Sequence, residues 1–139
     1  MPEHILAGLA RRLAAPLLAL SLSVAVFSGP ALAHHGWGWT EDAWFELSGT
    51  LTEIYVGNPH ATLTIEAEDG TLWDVDLAPL FRTLNAGFEQ DIAAPGDPVT
   101  VIGHRSIDPG ETHMKAVRVI HGGINYDVYP ARAAGYDNR

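Results

Sequence analysis

Residues 46–77 read ELSGTLTEIYVGNPHATLTIEAEDGTLWDVDL, and the period of their apolar side chains decides the fold. In 46–56, Leu47, Leu51 and Tyr55 fall on one face of an extended strand, while Glu46, Thr50 and Thr52 fall on the other. Gly57-Asn58-Pro59 then forces a turn. Residues 61–67 alternate again with Leu63 and Ile65 inward, and Glu68-Asp69-Gly70 makes a hairpin into 71–77. There Trp73, Val75 and Leu77 alternate with Leu72, Asp74 and Asp76. Alternation with one apolar and one polar face is the pattern of half-buried antiparallel strands, so the stretch predicts three of them in succession.

Downstream, Pro79 suits the first turn of a short helix over 80–86, and Gly87 suits its C-terminal stop. A looser stretch runs to Pro95. Gly96-Asp97-Pro98 signals a turn, after which 99–106 and 112–121 are two β-rich runs separated by Asp108-Pro109-Gly110. Residues 125–139 show no clear period and are expected to form a loosely packed or frayed tail. Three strands, a helix and two strands make a mainly β chain. The order is that of a small five-stranded antiparallel OB-like barrel, with one short helix between strands 3 and 4. The rival is an open antiparallel meander.

Upstream, residues 34–45 form an arm rich in histidine and tryptophan, and residues 1–33 read as a signal peptide. Arg11-Arg12 closes a short basic region, an apolar run spans 13–27, and small residues lead to Ala31-Leu32-Ala33. The pattern is too short for a membrane span, and the residues beside the arginine pair lack the rest of a twin-arginine signal. The expected product is periplasmic or secreted, cut after Ala33 and not inserted in the membrane. It divides into the arm 34–45, the barrel 46–124 and the tail 125–139.

The leader holds Arg11, Arg12 and Glu3, which leaves six basic and sixteen acidic side chains in 34–139, a net charge of −10. That excess argues against nucleic acid and anionic membranes as partners. The chain has no cysteine, so disulfides, zinc–thiolate sites and iron–sulfur clusters are excluded and a metal must use nitrogen, oxygen or thioether donors.

Cleavage after Ala33 would make His34 a new N-terminus whose α-amine and ring Nδ1 together chelate a metal. An α-amine titrates near neutrality and yields its proton to a metal at small cost. The remaining histidines, His35, His60, His104, His113 and His121, with no thiol present, suit Cu(II), Zn(II) or Ni(II), with copper favoured. One further imidazole completes a histidine brace of three nitrogens. His60, displayed by the Asn58-Pro59 turn at the barrel rim, is the first choice, and His104 or His113 would come from adjacent strands. His35 competes with His34 as anchor, and Gly36 stands where a third-position histidine would build a square plane through backbone amides.

Each of these residues also has a plainer reading. The His pair can be solvated, His60 can be bonded to its own turn, and strand histidines more often face solvent. Met114 is adjacent to His113 and so faces the opposite side of its strand, as core. Trp37, Trp39 and Trp44 are expected to anchor the arm against the barrel, with shielding of a metal as the secondary reading. Asp74 and Asp76 share a face at the spacing of a carboxylate pair, yet no partner nucleophile accompanies them, and they read as a solvated acidic face. Ser48 and Ser106 lack a Gly-x-Ser-x-Gly context, and no phosphate-binding or dinucleotide fingerprint is present.

Three segments, Ala33-His34-His35, the run from Gly49-Thr50-Leu51-Thr52-Glu53-Ile54 to Asn58-Pro59-His60, and the run from Gly96-Asp97-Pro98 to Gly103-His104, resemble a family of exported bacterial proteins known only as a domain of unknown function. The resemblance covers most of 34–139. It implies export and a small barrel and supplies no activity. This chain departs from the pattern at Val56, where an aromatic is common, and at Gly36, where a serine is common. A weaker, architectural likeness is to OB-type periplasmic copper metallochaperones, which hold Cu(I) with two methionines where 34–139 has only Met114.

The expectation is therefore a binding protein rather than an enzyme. It would buffer or deliver a copper ion, Cu(II) before Cu(I), through His34, His35, His60, His104 and His113, with a periplasmic copper-handling protein as recipient. The competing expectation is a non-metal module whose barrel face or Trp-rich arm binds an envelope protein or small ligand.

Overall fold

A computed structural model describes residues 36–139. The processing site and the His34-His35 pair lie outside the described residues. The elements are β1 (Phe45–Tyr55), β2 (His60–Ala67), β3 (Leu72–Pro79), α1 (Leu80–Asn85), β4 (Pro98–Arg105), β5 (His113–His121), β6 (Ile124–Asp127) and α2 (Pro130–Asp137). The sheet runs β3-β2-β1-β4-β5-β6, and β3 also pairs with β5. That pairing closes a five-stranded barrel with β6 outside it, so the OB-like expectation holds and the open meander does not. The closing pair is parallel and short, joining Asp74, Asp76 and the residue between them to His113, Lys115 and Met114.

β1 serves both halves of the barrel. Its first half pairs with β4, its second with β2, and Gly49 is opposite both Val99 and Ala67. A Cβ on Gly49 would lie 2.2 Å from the Glu66 carbonyl oxygen, so only glycine lets the strand coil through this point. Beyond it the alternation slips. Leu47 and Leu51 are buried as expected, but a bulge between Leu51 and Glu53 turns Tyr55 outward, where its hydroxyl donates to the Asn58 carbonyl, and directs Ile54 to the core instead. The exposed edge beyond the bulge is covered by Gln90, whose side-chain amide accepts from Val56 N at 2.8 Å and donates to Ile54 O at 3.3 Å.

Leu63, Ile65, Val75, Leu77, Val101, Met114 and Val119 fill the interior, each at most 2% exposed. Met114 is thus core. α1 follows Pro79 directly and ends at Gly87, whose positive φ of 81° and N–H bond to Leu84 O close its last turn.

The tail departs from expectation. Residues 124–127 extend the sheet as β6 and 130–137 form α2, because Arg118, 7% exposed, donates from Nη1 to Asp137 at 2.7 Å and from Nη2 to Asp127 at 3.0 Å. One guanidinium thereby pins both elements to β5. Among the described residues no helix is long and apolar enough to cross a membrane.

Candidate metal centre

Strand alternation decides which side chains share the outer surface of the closing seam. Met114 and Ala116 point into the core, so His113 and Lys115 point out. Lys115 is opposite Asp76 on β3 and opposite His104 on β4. Asp76, His113, Lys115 and His104 therefore occupy one outer face. A β-bulge at Gly103 brings β4 close to β5, and a Cβ there would lie 2.0 Å from the Lys115 carbonyl oxygen.

The N-terminal arm roofs this face. Trp37 and Trp44 both pack on the His104 ring, edge-on at 5.6 Å and tilted at 4.4 Å between centroids, and Trp39 lies over His113 at 4.5 Å. The tryptophans anchor the arm, as expected. Beneath them His104 is only 4% exposed. Its Nδ1 lies 3.0 Å from the Ala43 carbonyl, which can only accept, so Nδ1 carries the proton. Nε2 then holds a lone pair, is closed off from water, and has no hydrogen-bond partner among the described residues.

His113 is placed differently. Its Nε2 is 3.3 Å from Asp76 Oδ2, and that hydrogen bond raises its pKa above the ordinary imidazole value against the opposing effect of burial. Asp76 is therefore a partner for His113 rather than part of an idle acidic face, whereas Asp74 is exposed.

Lys115, the chain's only lysine, is a residue that the sequence reading passed over. It is 5% exposed, and its Nζ donates to the Gly36 carbonyl at 2.9 Å beneath the Trp37 ring. Burial lowers its pKa, the Asp76 charge opposes that shift, and Arg132 adds to it. A signal was available: Lys115 follows His113 by two positions, which puts both on one strand face. Through Lys115 the backbone one peptide bond after His35 is fastened beside His104 and Asp76.

His60 begins β2 opposite Pro79, while the His104–Lys115 pair is level with Asp76. That is three residues, about 10 Å, further along the barrel wall. His121 lies at the other end of β5, with Nδ1 donating to Pro98 O at 3.1 Å and Nε2 3.6 Å from Asp97. The fold thus brings His104 and His113 to one face and leaves His60 and His121 away from it. Among the described residues no three histidine, aspartate or glutamate side chains converge as a metal-binding group.

Residues 21–115 match the model of one protein family, described as a family of unknown function (DUF6152). No curated protein matches the chain. Among solved structures, a chain of the S. pombe Stn1-Ten1 complex is 16% identical, with a TM-score of 0.47 over 69% of this chain and 67% of that one. The ZRD-deleted mutant of TiaS in complex with agmatine is 18% identical, with a TM-score of 0.45 over 64% of this chain and 27% of that one.

Proposed function

The chain belongs to the family of unknown function DUF6152, and from that starting point, with only its own donors to argue from, we propose an exported copper-binding protein that buffers or delivers Cu(II). The amine and ring of His34 are the anchor, His35 is the competing terminal donor, and His104 supplies the barrel-side nitrogen. His113, its Nε2 held by Asp76, is a further barrel-side candidate, and His60 is the remotest.

The observation that carries this reading is the lone pair on His104 Nε2. A buried imidazole with one nitrogen donating to a backbone carbonyl and the other bare has the tautomer and orientation of a metal ligand. Leaving such an acceptor without a donor costs about 1–3 kcal/mol, which a bound ion would recover. The Lys115 bond to Gly36 supports the reading by bringing the segment after His35 to the same face. Periplasmic location and handover to a copper-handling protein belong to the proposal, and no step of catalysis is included in it.

The test is electron paramagnetic resonance of protein purified from the exporting cell, its N-terminus verified by mass spectrometry, with one equivalent of Cu(II). A nitrogen-rich spectrum is expected, altered by one extra N-terminal residue and by His104→Ala. Lys115→Met should weaken binding about tenfold, as loss of an outer-shell support does. Identical weak spectra from all four proteins would sink the reading.

A second reading draws on the surface around α1. Phe81 and Leu84 are exposed, and Arg82 and the nearby Arg132 flank Tyr129 in an otherwise acidic molecule. These would suit a non-metal module for an anionic, partly apolar ligand or envelope protein. Binding that survives chelation and His34→Ala would favour it.

A further inference from the structure

α1 buries only Thr83, whose hydroxyl donates to the Ala78 carbonyl at 3.0 Å. Phe81 and Arg82 precede Asn85 by four and three positions, so the three side chains share a face of the helix. That face looks across a cleft of about 260 Å³ to Val128 and Pro130, where the chain leaves β6 for α2. Phe81, 60% exposed, and Pro130 give the cleft apolar sides, while Arg82 and Asn85 give it donors.

The charges around it are unusual for this chain, in which acidic residues outnumber basic ones by 17 to 8. Arg105 is paired with Glu41, and Arg118 with Asp127 and Asp137. Among the described residues Arg82 and Arg132 have no carboxylate partner and rest on rings instead. Arg82 Cζ lies 5.5 Å from the Phe81 centroid and 5.8 Å from that of Tyr129, and Arg132 Cζ lies 3.9 Å from that of Trp37. A ring engages the flat side of a guanidinium and leaves its N–H edge free, and that edge grips a carboxylate through two parallel bonds. Lys115 Nζ is also 5.9 Å from the Tyr129 centroid, so three cations gather here. Against them stands the charge of Asp76, which is itself bonded to His113. Asp127 lines the cleft too, but Arg118 holds both of its oxygens.

We propose that the cleft between α1 and the start of α2 binds a small carboxylate with an apolar body, an arylacetate or a short-chain fatty acid. Arg82 grips the carboxylate, Asn85 donates to one of its oxygens, and Phe81 and Pro130 cover the body. This rests on the second, non-metal reading above and needs no metal. The cleft lies at the small end of the range for ligand sites, which suits one ring or one short chain. A bilayer of anionic lipid would also meet the acidic surface around the cleft, whereas a small ion meets the cations alone.

The experiment is calorimetric titration of the protein purified from the exporting cell, in excess EDTA, with phenylacetate and hexanoate as probes and phenylacetamide and hexanamide as uncharged controls. Both carboxylates should bind, each about tenfold more tightly than its amide, because the amide forms no charge-assisted bond with Arg82. Arg82→Gln should remove that difference, and Phe81→Ser should weaken all four probes. Both residues are exposed, so each variant should keep the parent melting temperature. Equal binding of acid and amide to the parent, or carboxylate binding unchanged in Arg82→Gln, overturns the site. A parallel arm offers phosphatidylglycerol vesicles. Vesicle binding that depends on Arg82, with no binding of the carboxylates, overturns the small-ligand site and leaves the second reading standing. Silence in both arms overturns the site together with the anionic-ligand form of that reading.

Discussion

Gly49 shows how one residue sets the shape of the barrel. It is the point where β1 leaves β4 for β2, and the Glu66 carbonyl already fills the place of a Cβ. Gly49→Ala should lower stability by about 2–3 kcal/mol, read as an earlier urea midpoint with an unchanged slope. The burial of Leu47, Leu51, Leu63 and Ile65 was legible because alternation alone decides it. Tyr55 was misplaced because the bulge at Thr52 is chosen by the partner strand, and nothing local to 46–56 reports it. His104 illustrates the same limit at the candidate site. Its residue type and strand were legible, but its burial is made by Trp37, Trp44 and Ala43, sixty or more positions upstream.

α2 is an element held by charge more than by an apolar face. Ala133 is its one fully buried residue, and the Arg118 pairs with Asp127 and Asp137 do the fastening. That explains why the tail looked shapeless: a helix with so few apolar positions has no period to detect, and its partner is an arginine in another element. Arg118 depresses the pKa of Asp137, chiefly through their hydrogen bond. A depressed carboxylate contributes stability that is present above its unfolded value of 3.8 and is lost as pH falls through its lower folded value. Acidification below about pH 4 should therefore detach α2 before the barrel unfolds. Amide exchange should accelerate across 130–137 while the core strands stay protected, and Arg118→Leu should show the same loosening at neutral pH. The three N-terminal strands and α1 were legible with nearly their true bounds, since each is marked by a local turn or cap such as Gly70 or Gly87.

Taken as a whole, residues 34–139 carry far more carboxylates than cations, and those cations are gathered. Arg118 is committed to α2, Arg105 sits 3.8 Å from Glu41, and Arg82, Lys115 and Arg132 surround Tyr129 and Trp37. The rest of the surface repels itself. Raising ionic strength from about 10 mM to about 150 mM shortens the screening length from about 30 Å to about 8 Å, and the melting temperature should rise by several degrees in calorimetry. A fall would mean that the local ion pairs outweigh the global repulsion. Fold class was legible from element order, whereas closure was not, because the parallel β3–β5 contact joins segments nearly forty residues apart that carry no mutual signal. That seam is only three residue pairs long, and Asp76, His113 and Lys115 are among its members. A barrel whose shortest joint is also its candidate ion-holding face would act as its own gauge of cargo. Each bound ion would slow the opening of 74–76 from 113–115, so the fraction of loaded molecules could be counted from the breathing of the wall.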